Sequence, residues 1–195
     1  MIEGLPARLR RYLGAVGLFG VGDFSHALLI LAATVLLTPS LGVIHAAQVA
    51  GLLYVWRNVV QVALSWPVGV AADRFGHGRV LVAGYGLGTL TAALMALAFV
   101  TETDSVVMLG GIFLVAGLYM AVQEALEPTV TAEIVPADRL GTGYGVLGTV
   151  NGVTKFVSSA GVGALWTAVS PVLAFGLAAL FMGLGTLALL RARVG

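Results

Sequence analysis

Gly69-Val70-Ala71-Ala72-Asp73-Arg74-Phe75-Gly76-His77-Gly78-Arg79 is a short, charged, glycine-punctuated stretch between two long apolar segments. Upstream, residues 46–70 carry a single charge, Arg57, and downstream, residues 80–100 carry none. Each segment is long enough to cross a membrane as a helix, which takes about 20 mainly apolar residues. The charged stretch therefore predicts a tight turn in water between two antiparallel membrane helices.

The same pattern extends in both directions. Six segments qualify as spans: 13–37, 46–70, 80–100, 106–126, 142–169 and 172–190. Their apolar runs are continuous and lack the two-residue alternation of a barrel strand, so they predict helices, which satisfy their own backbone in lipid. The chain is 59% hydrophobic and only 10% charged, where a soluble domain carries roughly 25% charged residues. A water-soluble core of this size could not hide so much apolar surface. The expectation is an all-α integral membrane protein, a single six-helix bundle over residues 1–195 with no soluble domain. The first segment is too long, and too polar at Asp23 and His26, for a cleaved signal peptide.

Several function classes drop out. A net charge of +1 leaves no basic footprint for nucleic acid. Without cysteines there is no disulfide, thiolate metal site or catalytic thiol. His26, His45 and His77 stand too far apart for local metal-ligand spacing. No Ser–His, paired-Asp or His-Glu-x-x-His arrangement lies in any span, so neither a cofactor nor an intramembrane enzyme is expected.

Orientation follows from the basic residues. Arg8, Arg10 and Arg11 precede the first span. Arg74 and Arg79 follow the second, Arg139 the fourth, and Arg191 and Arg193 the sixth. The opposite loops, 38–45, 101–105 and 170–171, hold no Lys or Arg. Positive charge marks the cytoplasmic side, so both termini should be cytoplasmic. The longest connection, 127–141, is expected to be a cytoplasmic loop.

The charged stretch resembles the signature loop of the major facilitator superfamily, G-x-x-x-D-R-x-G-x-[RK]-[RK]. Gly69, Asp73, Arg74 and Gly76 match it, and of its two basic places Gly78 stands in the first and Arg79 supplies the positive charge at the next. Two further segments resemble the second half of bacterial members. Arg10-Arg11-Tyr12-Leu13-Gly14-Ala15-Val16-Gly17-Leu18-Phe19 is similar to the linker exit and seventh helix. Glu124-Ala125-Leu126-Glu127 through Ile134-Val135-Pro136, with Arg139-Leu140-Gly141-Thr142-Gly143-Tyr144-Gly145, is similar to the tenth-to-eleventh connection. The resemblance implies a secondary transporter working by alternating access, present here as its C-terminal six-helix half, in a bacterial inner membrane. It implies a second half, or a second copy of this chain, as partner. Asp73 would cap a helix of that opposite half, and Arg74 and Arg79 would meet acids or lipid headgroups. The alternative is a truncated or scaffolding six-helix protein that does not transport.

Ionisable residues inside a membrane are costly, about 2.5–3.5 kcal/mol each on insertion scales, and mark candidate sites. Asp23 lies well into the first span, Arg57 in the second and Lys155 in the fifth. Tyr54, Arg57, Asn58, Gln61 and Ser65 recur at helical spacing and share one face. Asp23 pairs with His26, Asn151 with Lys155, and Tyr119 with Gln123, followed by Glu124 nearer the cytoplasm. Such stripes line either a solute cavity or a packed helix seam. Asp23 could pair with Arg57 or Lys155 but cannot neutralise both. The second positive charge then needs another partner: an anionic substrate, a carboxylate from a missing half, or Glu124. The excess over Asp23 suggests a bias toward anionic or zwitterionic solutes, with Asp23 as the best candidate for a proton carrier. The pairs Gly84–Gly88, Gly141–Gly145 and Gly148–Gly152 predict close helix packing.

Overall fold

The computed structural model describes residues 6–192, so Arg193 lies outside the described residues. Its regular structure is helical throughout. The elements are α1 (Ala7–Gly20), α2 (His26–Phe75), α3 (His77–Val100), α4 (Val106–Ile134), a 3-10 turn (Ala137–Arg139), α5 (Leu140–Ala168) and α6 (Pro171–Arg191). Four of them, α2, α3, α4 and α6, are long and apolar enough to cross a membrane. The all-helical membrane architecture is as expected, but several boundaries are corrected.

The first expected span, 13–37, is interrupted. α1 stops at Gly20, and α2 starts at His26 with the Ser25 hydroxyl accepting from Ala27 N. At Gly22 a side chain would collide with the Ala178 carbonyl of α6. The backbone freed by the break is re-satisfied locally, with Asp23 N donating to Phe19 O (3.1 Å), and from α5, whose Ser159 Oγ accepts from Ser25 N (3.0 Å). Such re-satisfaction is what lets an irregular stretch persist inside lipid.

The expected loop 38–45 is also corrected. α2 runs through it for 50 residues, kinked at the non-helical Gly42 (φ 73, ψ 160) just after Pro39. Likewise the signature stretch is mostly helix rather than loop. Asp73 and Arg74 close α2, His77 opens α3, and Gly76 alone (φ 96) turns the chain. Both positions use positive φ, which glycine adopts without a Cβ penalty. Finally α4 does not end at 126 but continues through Pro128 to Ile134. This places Glu127 inside a helix instead of in a cytoplasmic loop.

α3 packs against α4 and α6, α2 against α4, and α1 against α5 and α6. Glycines make the closest seams. A side chain at Gly84 would strike Val122, one at Gly88 would strike Phe19, Tyr119 and Met182, and one at Gly185 would strike the Phe19 backbone. The stacked rings of Phe19 and Tyr85, 3.8 Å apart, fill the centre. α5 is different: it buries only Gly143, Leu147, Ser158 and Val162. Its glycines 141, 145, 148 and 152 recur at helical spacing and face open space. The packing expected for Gly84–Gly88 is present, and that expected for the two α5 pairs is not made within this bundle.

Candidate functional site

Two polar clusters form where α1, α2, α4 and α5 approach one another. The first is built on α4, where Tyr119, Gln123 and Glu127 stand four residues apart and are all buried. Glu127 is its hub. Its Oε1 accepts from the Tyr85 hydroxyl (2.6 Å) and Gln123 Nε2 (3.0 Å), and its Oε2 accepts from Asn151 Nδ2 (2.6 Å). Its backbone carbonyl accepts from the Tyr12 and Thr131 hydroxyls (3.0 and 2.8 Å). Gln123 Nε2 also reaches Asp23 Oδ2 at 3.4 Å, so one amide joins two carboxylates. Asp23, carried by the α1–α2 break, pairs with Lys155 Nζ at 3.2 Å.

The second cluster surrounds the buried Arg57 guanidinium. Nη1 donates to Asn58 Oδ1 (2.8 Å) and Nη2 to Gln61 Oε1 (3.1 Å), and His26 Nε2 lies 3.4 Å from Nη2. The guanidinium also lies 5.5 Å from the Tyr54 ring centre, within cation–π range. Gln61 in turn donates from Nε2 to Glu124 Oε2 on α4. Arg57 therefore meets Glu124 through an amide rather than meeting Asp23.

Of the two ion pairs open from sequence, the structure forms Asp23–Lys155. It gathers Asp23, Gln123, Asn151 and Lys155 in one cluster and His26, Tyr54, Arg57, Asn58 and Gln61 in the other. Tyr119 stands between them. Its hydroxyl is buried, and it borders a cavity of about 20 Å³ shared with Asp23, His26 and Thr91. Glu127 is the residue that sequence reasoning missed. Pro128 argued for a loop there, yet the four-residue step from Gln123 to Glu127 continued the α4 stripe.

Glu127 and Glu124 together change the charge count. With Asp23 they set three acids against the two bases Arg57 and Lys155, so the formal surplus over both clusters is negative rather than positive. A groove of about 420 Å³ opens beside the first cluster, between α4 and α5. Asp23, Glu124, Glu127 and Lys155 are its charged lining, and Arg57 is not part of it.

At the far end of the helices, His77 ties the signature turn to α4. Its Nε2 lies 3.3 Å from Asp73 Oδ1 and its Nδ1 2.7 Å from Glu133 Oε1. The Major Facilitator Superfamily family model matches residues 14–194, nearly the whole chain. The chain belongs to the major facilitator superfamily. It is thus a membrane protein of a transporter superfamily, consistent with its long apolar helices. A comparison with curated proteins finds no match. In this superfamily member the matched signature residues divide by environment. Asp73, Arg74 and Arg79 are exposed at the turn, while His77 behind them is partly covered.

Proposed function

We propose that this chain forms one six-helix half of a secondary transporter that moves a small solute across the cell membrane by alternating access. The observation that carries the reading is the groove between α4 and α5. It is polar and open, with Glu124 exposed and Lys155 36% exposed at its edge, while many large apolar side chains are exposed along the helices. Charged groups facing lipid are costly, and a second six-helix body, another half or a second copy, would cover them. The stripe of open glycines on α5 supports close approach by that body.

In this arrangement the legs of α2 on either side of Gly42 are separate passes, giving six spans with both termini in the cytoplasm. The proton carrier is the Asp23–Gln123–Glu127 unit, two carboxylates joined by one amide. Asp73 meets a helix end of the opposite body, as the family resemblance implies. The test is uptake by the purified protein in proteoliposomes with an imposed proton gradient. Gradient-driven uptake that is lost in Glu127→Gln, with membrane abundance unchanged, is expected. A chain that transports as a 20.0 kDa monomer would refute the second body, and uptake indifferent to the gradient would refute the proton coupling.

A further inference from the structure

We infer that the groove between α4 and α5 takes a protonated amine on a small apolar body. This names a substrate class for the transport reading, but it concerns binding and is tested without transport. The first support is the charge of the lining, three carboxylates and one ammonium. Lys155 is committed to Asp23 at 3.2 Å, and the Arg57 guanidinium is separated from Glu124 by the Gln61 amide. Glu127 accepts from three neutral donors, none of them a cation. A solute entering here meets net negative charge, and an anion would be repelled.

The second support is independent of charge. Gln123 lines the groove, is 92% buried, and has an Oε1 with no hydrogen-bond partner. The amide cannot turn to cure this. Its nitrogen already lies against the carboxylates of Asp23 and Glu127, and a flip would set oxygen against oxygen. A buried acceptor left unpaired asks for a donor, and leaving it so costs about 1–3 kcal/mol. An ammonium brings both the donor and the missing positive charge. Most of the remaining wall is apolar or aromatic, from Met120, Pro128, Leu147 and the exposed Tyr144, with Asn151 and Thr154 as its further polar groups. The volume falls in the usual range for small-ligand sites, about 300–1,000 Å³.

The experiment uses the full chain in lipid nanodiscs and three fluorescent probes of nearly equal size. These are dansylcadaverine, which bears an ammonium, its neutral N-acetyl derivative, and dansyl-aminohexanoate, which bears a carboxylate. Fluorescence anisotropy at low salt should show the ammonium probe bound at least ~10-fold more tightly than either other probe. Glu124→Gln should weaken the ammonium probe by about tenfold and leave the neutral probe unchanged, while Glu124→Asp largely retains binding. Thermal unfolding of each variant, unchanged at this exposed position, shows that the fold is intact. Equal affinity for the three probes, preference for the carboxylate, no binding of any probe, or indifference to Glu124→Gln would each overturn the inference. A failure of uptake alone would not.

Discussion

Glu127 organises more of the buried polar interior than any charge visible in the sequence as a span residue. Its carboxylate receives three side-chain donors from α3, α4 and α5, and its carbonyl receives Tyr12 from α1. Hydrogen bonds in membrane bundles average about 0.6 kcal/mol and reach about 1.7. Glu127→Leu, which removes the acceptor of three hydrogen bonds, should therefore cost about 2–5 kcal/mol in total. Tyr85→Phe, which removes one donor, should cost about 0.6–1.7 kcal/mol. Equilibrium unfolding in mixed micelles measures both, and equal effects of the two variants would show that the carboxylate is not the hub. The same scale explains why the surplus positive charge expected from Arg57 and Lys155 did not survive. Charge balance is a sum over neighbours, and the α4 acids are neighbours only in three dimensions.

At the scale of elements, glycines do two different jobs. Gly185 sits against the backbone of Phe19, where a neighbouring helix cannot yield by rotating a side chain. Gly185→Val should destabilise by about 1–3 kcal/mol through overpacking of the α1–α6 seam. Gly14 faces open space, and Gly14→Ala should leave stability within about 0.5 kcal/mol or raise it slightly. Gly76 is conformational: its φ of 96 turns α2 into α3. Gly76→Ala should cost about 1–3 kcal/mol of backbone strain, although nothing crowds its Cβ position. Unfolding midpoints for the three variants separate packing from backbone conformation. If Gly76→Ala were as mild as Gly14→Ala, the turn would have another route.

At the scale of the whole molecule, α5 is the under-packed helix. It shows Gly141, Gly145, Gly148 and Gly152 outward and borders the polar groove. Gly145→Ile with Gly152→Ile should leave the unfolding midpoint of the isolated chain unchanged. It should abolish association with a second six-helix body, read as the mass of the detergent-solubilised complex. Unchanged mass would place the partner elsewhere or nowhere. Topology has its own check: a fluorescent reporter fused after Gly195 should be bright in cytoplasm, and a periplasmic enzyme reporter at the same place should be inactive.

Sequence by itself determined the solvent and the class. Continuous apolar runs require lipid, helices alone among open structures satisfy their backbone there, and the Gly69, Asp73, Arg74 and Gly76 pattern pointed to the superfamily that the family match bears out. The helical stripes through Arg57, Gln123 and Lys155 were also legible, because residues three or four apart share a face whatever the tertiary fold. Tertiary structure decided which stripes meet. Asp23 found Lys155 and not Arg57 because the chain breaks at residues 21–25, where Gly22 lies against α6. Glu127 became a buried hub because α4 continued past Pro128 when its neighbours could supply donors. Local propensity disfavours a proline inside a helix, and the donors that Glu127 meets on α3 and α5 come together only in the tertiary fold.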